Sequence, residues 1–205
     1  MHMFTLLPNP LPTTAAAFVE HAGRFVQSSP QRLTQAHLPD TCPQLLLLGA
    51  DCLACPDARS WLTRFSTAYR VIFSLEAPTP ELLLEADAVL HPLDDPCVVD
   101  ACLSAYRRQM PYVSAVHVPG LTQLMTRLRL LSTREWQIFM HLRKDTPSAQ
   151  IAHRLCISED TVKNHRKAIR KKLGLQGGKN RLMHFAKLYE LHQQLVPEEV
   201  REIND

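Results

Sequence analysis

The residues with the most specific chemistry in this sequence are cations, and they gather between Ser158 and Leu173. At about 100° per residue, Val162, Ile169 and Leu173 fall on one side of a helix over this segment. The other side carries a polar and cationic stripe: Lys163, Asn164, Lys167, Arg170 and Lys171. Lysine donates to guanine O6 and N7 and asparagine pairs with adenine, so such a stripe suits the major groove of DNA. The alternative interpretation is an ordinary solvated basic face.

A second candidate chemistry lies in the cysteines. Cys52 and Cys55 have the spacing of metal ligands and redox pairs. A tetrahedral zinc site needs two more ligands, and only Cys42 and His91 are loosely available. We therefore expect free thiols without a metal or cofactor, and a redox role of the pair stays open. The sequence also contains no catalytic triad or glycine-rich phosphate loop, so we do not expect an enzyme.

The cationic stripe needs supporting helices, and the residues before it predict two. Ser132 and Glu135 have the spacing of a capping box, in which each side chain bonds to the other residue's backbone. This predicts a first helix that runs to about residue 144. Thr146 is then expected to cap a second helix, with Pro147 at its first position and an end near Cys156.

The stripe itself is predicted to lie on a third helix. Ser158 is its expected N-cap, and Gly174 follows its expected end. Ile157 provides only a short connection from the second helix, which predicts a helix-turn-helix. A fourth helix is expected from about Lys179 to Leu195. The second half of the chain is thus predicted to be an all-α, four-helix domain.

This segment resembles the DNA-binding domain of the LuxR/NarL/GerE family over about residues 130–187. The residues that carry the resemblance are Leu131, Thr133, Arg134, Glu135, Ile151, Ala152, Leu155, Ile157, Ser158, Glu159, Thr161, Val162, Lys163, His165, Ile169, Lys172, Leu173 and Gly174. The resemblance implies that Lys163, Asn164 and Lys167 face base edges. The resemblance, the positive charge of some side chains and the position of others at the helix start together predict contacts to the DNA backbone. The predicted residues are Ser158, Thr161, His165, Arg166, Arg170, Lys171 and Lys179.

The sequence departs from the family pattern at Asn164 and Arg166, which replace residues that are often apolar or small, and at two places where an expected cation is missing. Residues 148–150 read Ser-Ala-Gln, so that Ala149 replaces a phosphate-facing lysine. Gly178 stands where the family usually has an arginine, with Lys179 beside it. These departures support an alternative function, a protein-interaction adaptor that docks on another regulator and binds DNA weakly or not at all.

The family resemblance also implies partners. It implies a homodimer on a two-fold operator in double-stranded DNA, with RNA polymerase as a further candidate partner. The fourth helix supplies the candidate dimer contacts: Leu182, Phe185, Leu188 and Tyr189. The alternative is that these four side chains only close the core of their own domain.

The first half of the chain alternates strand and helix patterns. Strands are predicted over residues 3–7, 45–48, 70–75 and 88–90, with an extra strand near 31–33. The continuous apolar run Leu45–Leu48 is typical of a parallel strand that is covered on both faces. The pattern predicts an α/β, doubly wound, flavodoxin-like domain.

The order and length of these elements resemble a response-regulator receiver domain, but its acidic pocket is missing. Gly49 stands where the resemblance places the phosphoacceptor aspartate, and the metal-binding acidic pair falls on residues 8–9, Pro-Asn. Ser74 alone matches the expected hydroxyl residue. Because Mg²⁺ and phosphoryl transfer need these oxygens, we expect a phosphorylation-independent domain. A two-residue shift would make Asp51 the acceptor, still without the acidic pair.

Charge separates the two halves. Residues 1–118 contain seven arginines, no lysine and eleven acidic residues, for a net charge of −4, whereas residues 119–205 contain sixteen cations and nine acidic residues, for +7. We predict a degenerate receiver-like domain over 1–118, a linker helix over 119–131 and a helix-turn-helix domain over 132–205. No signal peptide or membrane-length apolar run is present, so we expect a soluble cytoplasmic protein. The sequence identifies no small-molecule ligand for the first domain.

Overall fold

The structure is a computed structural model that describes residues 3–6, 15–20, 31–32, 44–54, 62, 64–65, 67–175 and 181–197. The chain divides into two compact units, Met1–Pro119 and Gly120–Asp205. The first unit is built on a parallel sheet and the second consists of helices. This confirms the predicted fold class of an α/β doubly wound domain followed by a helical helix-turn-helix domain.

The sheet of the first unit has six parallel strands in the order β2-β1-β3-β4-β5-β6. The strands are β1 Met3–Leu6, β2 Gln31–Arg32, β3 Leu45–Gly49, β4 Tyr69–Phe73, β5 Ala88–Leu90 and β6 Tyr112–Val113. β2 is the extra strand that we expected near residues 31–33. All five residues of β3 are buried, as its apolar run predicted.

Two details of the sheet differ from the prediction. The strand predicted over 70–75 is Tyr69–Phe73, because Leu75 leaves the sheet and is 63% exposed. β6 was missed because two residues carry no periodic signal. It exists through its register with β5, in which Ala88 pairs with Tyr112 and Val89 with Val113.

Helical segments cover the sheet of the first unit. Residues 15–20 are helical, and two further helices follow, α1 Pro80–Glu85 and α2 Val98–Arg107. Phe18 packs edge-on against Phe73 of β4, with ring centroids 6.0 Å apart. Tyr69 of β4 belongs to the same hydrophobic core and packs against Tyr106 of α2, with ring centroids 5.1 Å apart. Short 3-10 helices occupy Ala50–Ala54 and Ala115–His117.

The second unit contains five described helices and one 3-10 segment. The helices are α3 Val118–Met125, α4 Thr133–Leu142, α5 Ser148–Leu155, α6 Glu159–Lys172 and α7 Arg181–Leu195. α3 begins within the last two residues of the first unit and continues as the 3-10 segment Thr126–Leu130. The predicted linker helix is therefore α-helical only as far as Met125.

One predicted helix start is wrong. α5 begins at Ser148, and its N-cap is Pro147 rather than Thr146. Pro147 is extended, with φ −59° and ψ 147°, so helical backbone starts one residue later than expected. Thr146 instead donates its backbone N–H to the carbonyl of His141, 3.2 Å away, and so belongs to the end of α4.

The described residues contain neither a membrane-spanning helix nor a cluster of metal ligands. None of the described helices is long and apolar enough to cross a membrane. Within the same residues, no group of three or more His, Cys, Asp or Glu side chains is arranged to hold a metal ion. Of the CxxC pair, Cys55 lies outside the described residues, as does Cys42.

Candidate nucleic-acid interface

Helix α6 carries the cationic stripe, and both of its predicted ends are confirmed. Ser158 Oγ accepts the backbone N–H of Thr161 at 3.1 Å, which satisfies one of the donors that every helix start leaves unpaired. Gly174 follows the helix with φ +70°, a left-handed conformation that glycine adopts without steric cost. The apolar side chains Val162 and Ile169 are fully buried. The stripe therefore lies on the solvent side of the helix.

The three predicted base-facing residues, Lys163, Asn164 and Lys167, are all exposed. Lys163 Nζ lies 2.9 Å from Asp160 Oδ1, one turn earlier. The hydrogen bond that Lys163 donates to Asp160 raises the pKa of Lys163 and lowers the pKa of Asp160. Since both side chains are exposed, this ion pair is weak and can exchange for contacts to an anionic ligand.

The predicted backbone-contacting residues divide by exposure. Ser158 and Lys171 are exposed, while four are half-buried: Thr161, His165, Arg166 and Arg170. Lys179 lies outside the described residues. Arg166 has an additional contact, because its Nη1 donates to Ser148 Oγ at 2.9 Å. This places the guanidinium at the start of α5, next to Ala149, where the sequence lacks the expected lysine.

A buried carboxylate fixes the end of α6 against α4. Glu135 is 5% exposed and completes the capping box by accepting the Ser132 N–H at 2.7 Å. It also accepts a hydrogen bond from Lys172 Nζ at 2.6 Å. Burial alone would raise the pKa of Glu135, but the hydrogen bonds from Lys172 and Ser132 together hold that pKa below its ordinary value. The sequence predicted the bond between Glu135 and Ser132 but not the bond between Glu135 and Lys172.

The turn between α5 and α6 depends on an unusual backbone residue. Cys156 is left-handed, with φ +52°, and its side chain is exposed. Ile157 N–H returns to the carbonyl of Ala152 at 3.0 Å and closes the turn. Arg134 of α4 donates to the carbonyl of Leu155 at the end of α5. These bonds join α4 and the turn to α5, and the bond between Lys172 and Glu135 joins α6 to α4, so the exposed stripe rests on a fixed support.

The four candidate dimer residues face the core of their own unit. Leu182, Phe185 and Leu188 are at most 3% exposed. Tyr189 packs against Phe139 and Trp136, with ring centroids 5.7 and 5.9 Å away. The idea that these side chains form a dimer surface is therefore wrong for the three buried residues. These three side chains pack in the core of their own unit, as the alternative interpretation predicted.

In the first unit, the carboxyl edge of the sheet is where a receiver would hold its phosphoacceptor. Gly49 is the last residue of β3 and is buried. Asp51 lies two residues further on, exposed, in the 3-10 helix. Ser74 is buried and donates its hydroxyl to the carbonyl of Glu76 at 2.9 Å. Residues 8 and 9 lie outside the described residues.

Sequence reasoning missed a polar cluster at the same edge. His117 is 1% exposed, and its Nε2 lies 3.1 Å from the carbonyl of Ser74. Burial lowers the pKa of His117. Ser114 donates to Asp94 at 2.9 Å, and His91 lies 5.7 Å from His117 between ring centroids. These bonds hold together the loops that follow β4, β5 and β6.

The same three loops expose apolar side chains. Leu75, Leu93 and Val116 follow β4, β5 and β6 and are 63%, 74% and 59% exposed. The neighbouring Glu76 and Asp95 are exposed acids, and the loops 74–79, 91–97 and 114–117 contain no lysine or arginine. The three described loops at this edge of the first unit thus combine exposed apolar side chains with exposed acidic ones.

Comparison with protein families decides the identity of the helical unit. Residues 129–185 match the family model described as "Bacterial regulatory proteins, luxR family". They form a luxR-family helix-turn-helix domain. The match includes all of α4, α5 and α6, and the predicted family resemblance is confirmed. No curated protein sequence matches the chain.

Solved structures give a more distant likeness. RcsB from Salmonella enterica serovar Typhimurium, in a structure bound to promoter P1flhDC, shares 13% identity with a TM-score of 0.46, covering 92% of this chain and 98% of that chain. An RcsB–DNA complex shares 14% identity with a TM-score of 0.43, covering 90% and 96%. The response regulator ChrA of a heme-sensing two-component system shares 18% identity with a TM-score of 0.39, covering 95% and 98%.

Proposed function

We propose that this protein is a sequence-specific, DNA-binding transcription regulator that inserts α6 into the major groove. The observation that carries this proposal is the division of α6 into a fully buried apolar side and an exposed side with Lys163, Asn164 and Lys167. Two further observations favour DNA binding over an ordinary solvated basic face. The helix is held in place by α4, and it lies in a luxR-family domain. The protein carries out no chemistry; it docks by charge and then contacts bases.

The docking step is electrostatic. Of the proposed backbone contacts, Ser158 and Thr161 lie at the start of α6 and Arg170 and Lys171 at its end, while His165 and Arg166 lie among the base-facing residues. Arg166, held at the start of α5 by Ser148, supplies a cation near the place where Ala149 offers none. About 6–10 phosphate contacts per homodimer would reduce affinity by about 10³–10⁵-fold between 50 and 200 mM salt.

We further propose that the regulator works as a homodimer without phosphorylation. Gly49 at the end of β3 has no side-chain oxygen to accept a phosphoryl group, which supports this proposal. Incubation with acetyl phosphate and Mg²⁺ should leave both the intact mass and the DNA affinity unchanged. A mass increase of one phosphoryl group that is lost in Asp51→Asn would refute it and favour the shifted acceptor.

The DNA proposal is tested by substitution on a selected sequence. Binding sites are first enriched from random duplexes, and dissociation constants are then measured at two salt concentrations. Lys163→Ala or Asn164→Ala should cost about 1–3 kcal/mol on the selected site and blur base preference. Lys171→Ala should weaken selected and random DNA alike and make the salt dependence shallower by about one unit of slope.

The matched control is Lys144→Ala. Lys144 is also an exposed lysine of the second unit, but it follows α4 and lies outside the stripe. It should retain wild-type affinity and salt dependence. Equal losses from Lys144→Ala and Lys163→Ala would show that only net charge matters, and the proposed orientation of α6 would then be wrong.

The adaptor remains a second candidate function because of the apolar edge of the first unit. Leu75, Leu93 and Val116 stand exposed beside Glu76 and Asp95, which suits a cationic protein partner. The adaptor predicts that no enriched duplex binds more tightly than random DNA. It also predicts that Leu93→Ser abolishes regulation in cells while Lys163→Ala does not.

A further inference from the structure

The end of α6 is held by a residue outside the luxR-family match. Arg127 lies in the 3-10 segment Thr126–Leu130, and its Nη1 donates to the carbonyl of Leu173 at 3.0 Å. Leu173 is the C-cap of α6 and is fully buried. Since a helix leaves its last carbonyls without intrahelical donors, this guanidinium supplies what the helix itself cannot.

The chain around this contact is shaped to admit Arg127. Gly174 has φ +70°, and a Cβ placed on it would lie 3.1 Å from Arg127 Nη1. After the glycine, the Leu175 N–H returns to the carbonyl of Arg170 at 2.9 Å. The helix end is therefore turned back on itself and leaves the Leu173 carbonyl facing the arginine.

Charge also favours this position. A cation at a helix C-terminus interacts favourably with the helix dipole. The last turn of α6 already carries three cations, Arg170, Lys171 and Lys172. Lys172 forms an ion pair with Glu135 of α4. Arg127 and Glu135 thus hold the same helix end from two different elements, and the remaining cations stay on the stripe side.

Arg127 sits where the segment between the two units becomes part of the second one. It follows α3 directly, and α3 starts at the last residues of the first unit. Leu121 and Leu124 are fully buried and Met125 is 7% exposed, so α3 is firmly packed. Arg127 therefore connects this segment to the last turn of the helix that carries the base-facing residues.

We infer that Arg127 is a positioning residue for DNA binding, which couples the segment after residue 119 to the orientation of α6 through the Leu173 carbonyl. This inference rests on the proposed function. It differs from a phosphate contact because Arg127 acts on the helix backbone. It also differs from general stabilisation because its effect is local to the last turn of α6.

The experiment compares Arg127→Ala, Arg127→Lys and Arg129→Ala in the full chain. Arg129 is an exposed arginine of the same 3-10 segment and serves as the matched control. Affinity for the enriched duplex is measured at several salt concentrations. Amide hydrogen exchange is measured in parallel without DNA.

Arg127→Ala should bind the enriched duplex about three- to tenfold more weakly, as expected for loss of one charge-assisted hydrogen bond, with the salt slope unchanged. Exchange should accelerate at the amides of Leu173 and Leu175, while those in the middle of α4 stay protected. Arg127→Lys should recover most of the affinity because lysine can still donate to the carbonyl. Arg129→Ala should match the wild type.

Three results would overturn the inference. Wild-type affinity in Arg127→Ala would show that the contact does not position α6. A salt slope reduced by about one unit would show a direct phosphate contact instead. Faster exchange throughout the second unit would show simple destabilisation. If the wild type binds no duplex, the proposed function fails, and the exchange data still decide whether Arg127 holds the helix end.

Discussion

The carboxylate of Glu135 gives the sharpest stability prediction. Glu135→Gln keeps the shape of the side chain but removes its charge. The carboxylate accepts the Ser132 N–H at 2.7 Å and Lys172 Nζ at 2.6 Å. The glutamine amide oxygen can still accept the Ser132 N–H in a capping box, so weakening this bond costs only about 0.5 kcal/mol. Losing the charge pair costs about 1 kcal/mol more, because the Lys172 side chain is 39% exposed and can return to water. The total is about 1.5 kcal/mol, below the 3–5 kcal/mol expected when a fully buried pair is broken.

The same residue predicts a pH dependence with a definite sign. The folded-state pKa of Glu135 lies below its ordinary value of 4.5. Its stabilisation is therefore fully present above pH 4.5 and is lost as the pH falls through the lower folded-state pKa. The stability difference between wild type and Glu135→Gln should be largest near neutral pH and should shrink below pH 4.5.

The assay is urea unfolding monitored by Trp136 fluorescence. Trp136 packs against Phe139 and so reports on the second unit. The sequence contains one other tryptophan, Trp61, so a Trp61→Phe background isolates the signal. Glu190→Gln, on α7, is the control and should change stability by less than about 0.5 kcal/mol. A difference that is absent at pH 7, or that stays constant down to pH 3, would refute this account of Glu135.

Three further predictions concern single residues. Cys156→Gly should raise the unfolding free energy by up to about 1 kcal/mol, because φ +52° costs about 1–2 kcal/mol without glycine, whereas Cys156→Val should lower it; equal urea midpoints would contradict this. Gly174→Ala should lower the unfolding free energy by about 1–2 kcal/mol in the same assay, since both φ +70° and Arg127 oppose a Cβ; an unchanged midpoint would mean that the turn relaxes freely. Cys102 is buried, which keeps reagent away and raises the pKa of its thiol, whereas Cys97 is exposed, so mass-mapped alkylation of the native protein should modify Cys97 and spare Cys102 until denaturant is added.

The sequence alone determined the elements whose signals are local. Ser158 and Gly174 mark the ends of α6 within one turn of the residues they cap, and the helical spacing of Val162 and Ile169 fixes which side is buried. The run Leu45–Leu48 likewise needs no distant partner to indicate a covered strand. Such signals depend on neighbours within about four residues, so they can be recognised in the sequence without the tertiary structure.

The tertiary structure decided which side chains meet across long stretches of sequence. Whether Phe185 closes a core or faces a partner depends on Phe139, which packs against it at 6.0 Å. The contact of Arg127 with Leu173, 46 residues away, has no counterpart in spacing or composition. β6 also exists only through its pairing with β5. Burial and hydrogen bonding of this kind arise from folded geometry, since periodicity states that a face is apolar but not what covers it.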